Sequence, residues 1–211
     1  MTAIVTVIDY GSGNLLSVTR ALEHCGAKVE LSDDPARIAA ADRLVLPGVG
    51  AFADGMAGLS SAGLIDPIRA FASSGRPLMG ICLGMQLLAS RSEEFGAHEG
   101  LGLIAGRVTP VPDRTAAGRP QKIPHIGWAD LVLNPDRESN DTCGIVDGDA
   151  VYLVHSYRFE PDSDAHLLAD CIYGGLPIAA AIRAGNITGF QFHPEKSGKV
   201  GLGILDAFLK R

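Results

Sequence analysis

A cysteine framed by glycines, and a histidine two residues ahead of a glutamate, are the side chains here whose chemistry calls for an explanation. Cys82 stands in Gly80-Ile81-Cys82-Leu83-Gly84, a cysteine form of the G-x-S-x-G turn that carries a nucleophile between a strand and a helix. The apolar run Pro77 to Ile81 reads as a short buried strand, and the residues after Cys82 as a helix. Backbone at such a turn is strained, and small neighbours on both sides permit it. The side chain is then held off the sheet at a helix N-terminus, where unpaired amides and the positive dipole end favour a thiolate. The amide of Leu83, directly after the nucleophile, is placed to donate to an oxyanion. The competing reading of Cys82 is a buried small hydrophobe, and the two glycines at elbow spacing weigh against it.

Phe190-Gln191-Phe192-His193-Pro194-Glu195 supplies the complement. Residues two apart in extended backbone share a face, so Glu195 is expected beside His193. A histidine oriented by a carboxylate is the base half of a nucleophile-base-orienter triad. It can hold the thiol proton and return it to a leaving amine. Taken alone, H-x-E also describes a strand-end histidine and a surface glutamate; with the elbow, the order Cys82, His193, Glu195 makes a coherent triad. Pro47-Gly48-Val49-Gly50 ends another apolar run, and its amides at Val49 and Gly50 are candidates for a second oxyanion donor. On spacing alone that segment is equally a tight strand-to-helix turn. In Tyr152-Leu153-Val154-His155-Ser156-Tyr157, His155 reads as the hydrogen-bonded wall of a pocket in preference to an alternative base. Asp9 to Asn14 invites a nucleotide reading, but a G-x-G-x-x-G fingerprint needs glycine where Leu16 stands.

The elements that must position these groups follow from periodicity. Ala3 to Ile8, Lys28 to Leu31 and Arg43 to Leu46 read as strands, separated by helices over Leu15 to His24 and Ala36 to Ala40. Helical pieces through Phe71 lead to the elbow. Strands alternating with helices predict a three-layer α/β sandwich with function at the carboxyl ends of its strands. After the elbow the pattern changes. Gly102 to Val108, Ala129 to Leu133, Ala150 to Tyr157 and Leu167 to Tyr173 read as antiparallel additions beside a parallel core. Ile178 to Arg183 and Ile187 to Phe192 form a hairpin with Gly185-Asn186 at its tip; Pro110 to Pro124 is a loop, and Val200 to Leu209 a last helix.

At 211 residues, 46% hydrophobic and 20% charged, the chain fits one globular domain over residues 1–211. A net charge of -6 without a Lys/Arg cluster argues against a nucleic-acid partner. No apolar run approaches a membrane span, and the N-terminus lacks the charged region and cleavage site of a signal peptide. The cysteines at 25, 82, 143 and 171 form no C-x-x-C pair, which suits free thiols in the cytoplasm better than disulfides or a zinc site.

These stretches together resemble the class I (triad) glutamine amidotransferases, whose sheet is mixed, mainly parallel and flavodoxin-like. The closer similarity is to the glutaminase subunits of imidazole glycerol phosphate synthases. It is carried by Asp9-Tyr10-Gly11-Ser12-Gly13-Asn14-Leu15, Pro47-Gly48-Val49-Gly50-Ala51-Phe52, His125-Ile126-Gly127-Trp128, Val154-His155-Ser156-Tyr157-Arg158 and Gln191-Phe192-His193-Pro194-Glu195-Lys196-Ser197. The resemblance implies hydrolysis of L-glutamine through a thioester on Cys82, with no cofactor and no metal. It implies that Gln86, Glu94 and the backbone of His155, Ser156 and Tyr157 hold the substrate. It also implies a (β/α)8-barrel cyclase as partner in a heterodimer, with Asn14 and Lys196 near the interface. Two other readings compete: an amidotransferase serving a different synthase, opposed by the Pro47 and Val154 stretches, and a non-catalytic scaffold, opposed by the intact triad.

Overall fold

Alternation along the first strands sets the layers. In the computed structural model, which describes residues 2–135 and 142–211, Val5 and Val7 of β1 (Ile4–Ile8) face one apolar cluster and Ile8 the other. The same division recurs on β3 (Leu44–Gly48), with Val45 opposed to Leu44 and Leu46. On β4 (Leu78–Cys82), Met79 and Ile81 oppose Leu78. A strand buried on both faces needs cover on both. Helices α1 (Leu15–His24) and α6 (Gly198–Leu209) cover one face; α2 (Pro35–Ala40), α3 (Phe52–Ser61), α4 (Ile65–Ser73) and α5 (Leu83–Leu87) cover the other. Helices this short are marginal alone. Burial of Phe52, Ile68 and Phe71, each contributing roughly 1.5–3 kcal/mol, holds α3 and α4 in place.

The remaining strands are β2 (Lys28–Ser32), β5 (Arg91–Ser92), β6 (His98–Glu99), β7 (Gly106–Pro110), β8 (His125–Leu133), β9 (Ala150–His155), β10 (Tyr157–Pro161), β11 (Leu167–Tyr173), β12 (Leu176–Ala184) and β13 (Ile187–Phe190). The main sheet runs β2-β1-β3-β4-β13-β12-β11-β8-β9. Its first five strands pair in parallel, and the pairings from β13 outward to β9 are antiparallel. The mixed three-layer α/β architecture agrees with the sequence expectation.

Local differences have physical causes. The stretch read as one strand over Ala150 to Tyr157 divides at Ser156: β9 stays in the main sheet, while β10 joins a four-stranded sheet ordered β10-β7-β5-β6. A bond between His155 Nδ1 and the Tyr157 carbonyl, 2.8 Å long, folds the chain at that break. The strand expected from Gly102 starts only at Gly106. The backbone of Gly102 and Ile104 instead donates to carbonyls at the end of the elbow helix. The expected span 1–211 includes residues 1 and 136–141, which lie outside the described residues.

Three neighbouring strands deliver the chemistry. Gly48 sits opposite Cys82 in the β3–β4 register, and Phe190 opposite Ile81 in the β4–β13 register. The carboxyl ends of β3, β4 and β13 therefore lie side by side, with the Val49 loop, the elbow and the Gln191–His193 segment as their continuations.

Close backbone approach fixes the elbow. A Cβ on Gly84 would collide with the Leu46 carbonyl, and one on Gly80 would stand 2.7 Å from the Gly84 oxygen. Gly203 of α6 is the opposite case, with nothing within 4 Å of its missing Cβ. Gly84→Ala is expected to lower stability by about 1–3 kcal/mol through overpacking, whereas Gly203→Ala gains roughly 0.5–1 kcal/mol from helix propensity. Urea unfolding midpoints measured on both variants check these opposite signs.

Candidate active site

Cys82 is the last residue of β4 and stands immediately before α5, with φ 54° and ψ −112°. That left-handed φ is rare for a residue with a side chain, and it turns the thiol out of the sheet into a cleft of about 310 Å³. The volume falls in the small-molecule range. Val49, Gly50, Leu83, Gln86, Glu94 and His193 share that cleft with Cys82, and His155, Ser156 and Tyr157 also line it.

His193 and Glu195 meet, but not along an extended strand. Pro194 cannot donate to a ladder; Pro194–Lys196 form a 3-10 turn after His193. Folding back in this way brings His193 Nδ1 to 2.8 Å from Glu195 Oε1, with both side chains buried. The other oxygen, Glu195 Oε2, has no hydrogen-bond partner among the described residues. Burial alone would push the imidazole down. Hydrogen bonds to the Cys82 sulfur and to Glu195, reinforced by their charges, outweigh it and lift His193 to about 9. The site thus favours an imidazolium poised between a sulfur and a carboxylate.

The turn is bolted in place. His193 N donates to Tyr152 O at 3.0 Å, Ser197 Oγ donates to His193 O at 2.7 Å and accepts the Tyr152 N–H at 3.0 Å. Helix α6 packs on it through Gly201, where a Cβ would collide with the Pro194 carbonyl.

His155 is the second buried histidine of the cleft and behaves in the opposite sense. Burial pushes it down to about 4, with lesser contributions from the charges of His125 and His193. Donation from Nδ1 to the Tyr157 carbonyl leaves Nε2 as acceptor for His125 Nδ1, 3.2 Å away. With both nitrogens engaged and the ring neutral, His155 suits a wall and not a base.

Gln86 Nε2 donates to Tyr157 O at 3.1 Å and to Gln191 Oε1 at 2.9 Å. Glu94 Oε2 accepts the Phe52 N–H at 2.7 Å, and burial raises its pKa. Val49 and Gly50 line the cleft, but the Val49 N–H is directed at the Ser12 hydroxyl, 3.4 Å away. Leu83, as the first residue of α5, has an amide with no partner inside its own helix. Asn14 begins α1 without a capping bond from its side chain, and Lys196 is exposed beside the His193 turn.

A family model described as glutamine amidotransferase class-I matches residues 6–210. The chain belongs to the class-I glutamine amidotransferases. Within that family the amidotransferase is 52% identical to the imidazole glycerol phosphate synthase subunit HisH 1 of Legionella pneumophila (strain Lens), over 98% of each chain. It is 46% identical to the HisH subunit of Syntrophotalea carbinolica, over 97% of this chain and 98% of the relative. Among solved structures, PurLQS from Thermotoga maritima aligns with a TM-score of 0.73 at 21% identity, covering 100% of this chain and 99% of that one. That last likeness speaks for the fold.

Two groups of the site were not singled out from the sequence. Gln191 Nε2 lies 3.9 Å from the Cys82 sulfur, and Ser197 ties the histidine turn to β9. Gln191 stands two residues before His193, and the alternation of a strand continuing past Phe190 was the available signal. Ser197 had none, because its role depends on a contact across 45 residues.

The two histidine shifts carry opposite pH signs. A raised folded pKa stabilises fully below the unfolded value of about 6.5 and is lost as pH rises through about 9; a depressed one stabilises above about 6.5 and is lost as pH falls toward 4. In the amidotransferase, Glu195→Gln is expected to lower the His193 pKa, read from its imidazole resonances by NMR. His155→Gln is expected to flatten the decline in urea-unfolding stability between pH 7 and pH 4.

Proposed function

We propose that the chain is the glutaminase subunit of an imidazole glycerol phosphate synthase, acting as one domain over residues 1–211 in the cytoplasm. Cys82, with His193 and Glu195, hydrolyses L-glutamine to glutamate and ammonia. The observation that carries the reading is the strained Cys82 beside a histidine whose two partners, sulfur and carboxylate, both favour its charged form. Support for the particular synthase comes from the HisH relatives matched over nearly the full length. Support for the compartment comes from cysteines at 25, 82, 143 and 171 that form no C-x-x-C pair, and among the described residues no helix is long and apolar enough to cross a membrane.

The reaction follows from the positions of the groups. The Cys82 thiolate attacks the side-chain carbonyl of glutamine, and the resulting oxyanion is met by the amide of Leu83 and by one from the Val49–Gly50 loop. His193, as imidazolium, gives its proton to the departing ammonia, leaving a glutamyl thioester. Neutral His193 then takes a proton from water, hydroxide adds to the thioester, and glutamate leaves as the thiolate reforms. Gln86, Glu94 and the His155–Tyr157 backbone hold the amino-acid end of the substrate. Ammonia released to bulk water would become non-nucleophilic ammonium, so direct transfer to a partner is chemically sensible. That partner is a (β/α)8-barrel cyclase docked near Asn14 and Lys196. It combines the ammonia with a ribulosyl-formimino aminoimidazole nucleotide, yielding imidazole glycerol phosphate and an aminoimidazole carboxamide ribonucleotide. In the free chain the Val49 amide is turned away from the sulfur, and the docked, liganded partner favours the flipped form.

Cys82→Ala is expected to reduce ammonia release from glutamine by at least ~10³-fold, because the members of such a triad act as a unit. The assay is run with and without the cyclase. Near-normal release by this variant would refute the assignment, and equal turnover by wild-type chain and complex would remove control by the partner.

A further inference from the structure

The Gly48–Val49 peptide lies beside two hydroxyls that the reaction above does not use. Ser12, in the turn between β1 and α1, donates to Val49 O over 2.6 Å and accepts the Val49 N–H at 3.4 Å. One side chain thereby clamps both peptides that flank Val49. A trans peptide holds its N–H and C=O antiparallel, so with the amide facing Ser12 the Gly48 carbonyl faces away from it.

The second hydroxyl belongs to Tyr10. The residue is 8% exposed, and Oη is buried without a hydrogen-bond partner among the described residues. It lies hard against the same peptide, since a Cβ on Gly48 would stand 2.5 Å from Oη. Burial pushes the phenol up to about 12; the Ser12 hydroxyl, near Oη but outside the geometry of a formed hydrogen bond, pulls it the other way, and the charge at Cys82 adds to the rise. Tyr10 thus keeps its proton at neutral pH and can act as a donor. Buried donors are almost always satisfied, and an unsatisfied one under a glycine peptide marks a group lacking its acceptor in this conformation.

We propose that Ser12 and Tyr10 form a two-position latch on the Gly48–Val49 peptide: Ser12 holds the resting orientation, and Tyr10 receives the Gly48 carbonyl when the peptide turns over. Turning over presents the Val49 N–H to the oxyanion forming at Cys82. The inference rests on the glutaminase reading above. Both ends of the segment stay fixed during the rotation, Gly48 by its pairing with Cys82 and Phe52 by its bond to Glu94. Gly50 already occupies φ 100°, so the chain absorbs the rotation without a side-chain clash. The bond to be broken is the long one at 3.4 Å, and the clamp sits two residues from Asn14, on the turn where the partner docks. These two hydroxyls are positioning groups and touch no substrate.

The test measures kcat and KM for ammonia release by the chain alone and by its complex with the cyclase and the cyclase's nucleotide substrate. Ser12→Ala should raise the unstimulated kcat about 3- to 10-fold, the range of one modest hydrogen bond, with KM within about 2-fold. The ratio of stimulated to unstimulated turnover should shrink to match. Ser12→Thr, which keeps the hydroxyl, should restore the wild-type ratio, and Ser12→Gly is a second hydroxyl-free variant should the alanine chain fail to fold. Tyr10→Phe should lower the stimulated kcat by a similar factor, again with KM unchanged. Unstimulated turnover of the hydroxyl-free Ser12 variants at or below wild type overturns the latch, and so does full stimulated turnover in Tyr10→Phe. If Cys82→Ala abolishes release while the Ser12 variants change nothing, only the latch fails. If Cys82→Ala releases ammonia like wild type, the glutaminase reading has failed with it.

Discussion

One residue's backbone governs the arrangement of this molecule: Cys82 is held at φ 54°, a conformation costing of order 1–3 kcal/mol for a residue with a side chain. Strain of that size persists only when the surroundings over-determine it. Here they do so chiefly with main chain. Gly84 rides on the Leu46 carbonyl of β3, Gly80 on the carbonyl of Gly84, and Gly189 of β13 lies within 2.7 Å of a Met85 side-chain carbon once a Cβ is added to it. The elbow is wedged between its two flanking strands. Any relaxation of Cys82 must separate β3 or β13 from β4, and those strands also carry the Val49 loop and the histidine segment. Strain at the nucleophile and alignment of its partners are therefore one constraint.

The electrostatics of the cleft depend on that alignment. Two histidines lie within a few residues of the sulfur in space, both deeply buried, and burial acts on both in the same direction. They part company through their neighbours. His193 faces a sulfur and a carboxylate and is lifted to about 9, whereas His155 faces a backbone carbonyl and another imidazole and falls to about 4. A single fold thus holds one ring as a proton donor and the other as a neutral strut. The difference arises because the sulfur and the carboxylate at His193 outweigh its burial, whereas the carbonyl bond at His155 offsets burial only in part.

Much of this was legible in the residues, and the reasons differ by element. The elbow could be read because its glycines are demanded by close approach, which leaves a mark in the sequence. The parallel strands could be read because burial on both faces makes them continuous apolar runs. Helix α1 begins and ends where the spacing of Leu15 to His24 placed it. What escaped was decided by individual contacts that periodicity does not record. The His193–Glu195 pairing was expected from strand periodicity, yet it arises from a 3-10 turn that Pro194 imposes. The split of Ala150 to Tyr157 between two sheets turns on one side-chain bond from His155. The orientation of the Val49 amide turns on Ser12, 37 residues away, and no local pattern records such a contact.

The bolts on the histidine turn have one more effect. Strand β9 is the last of the nine-stranded sheet, so one side of its backbone has no neighbouring strand, an invitation to pairing with another chain. Both main-chain groups of Tyr152 that face that side are taken, the carbonyl by His193 N and the amide by Ser197 Oγ. The turn that carries the base therefore also covers the open border of the sheet at Tyr152. Loosening it would unsettle proton transfer and at the same time uncover a sticky margin, so solubility and chemistry are guarded by the same five residues.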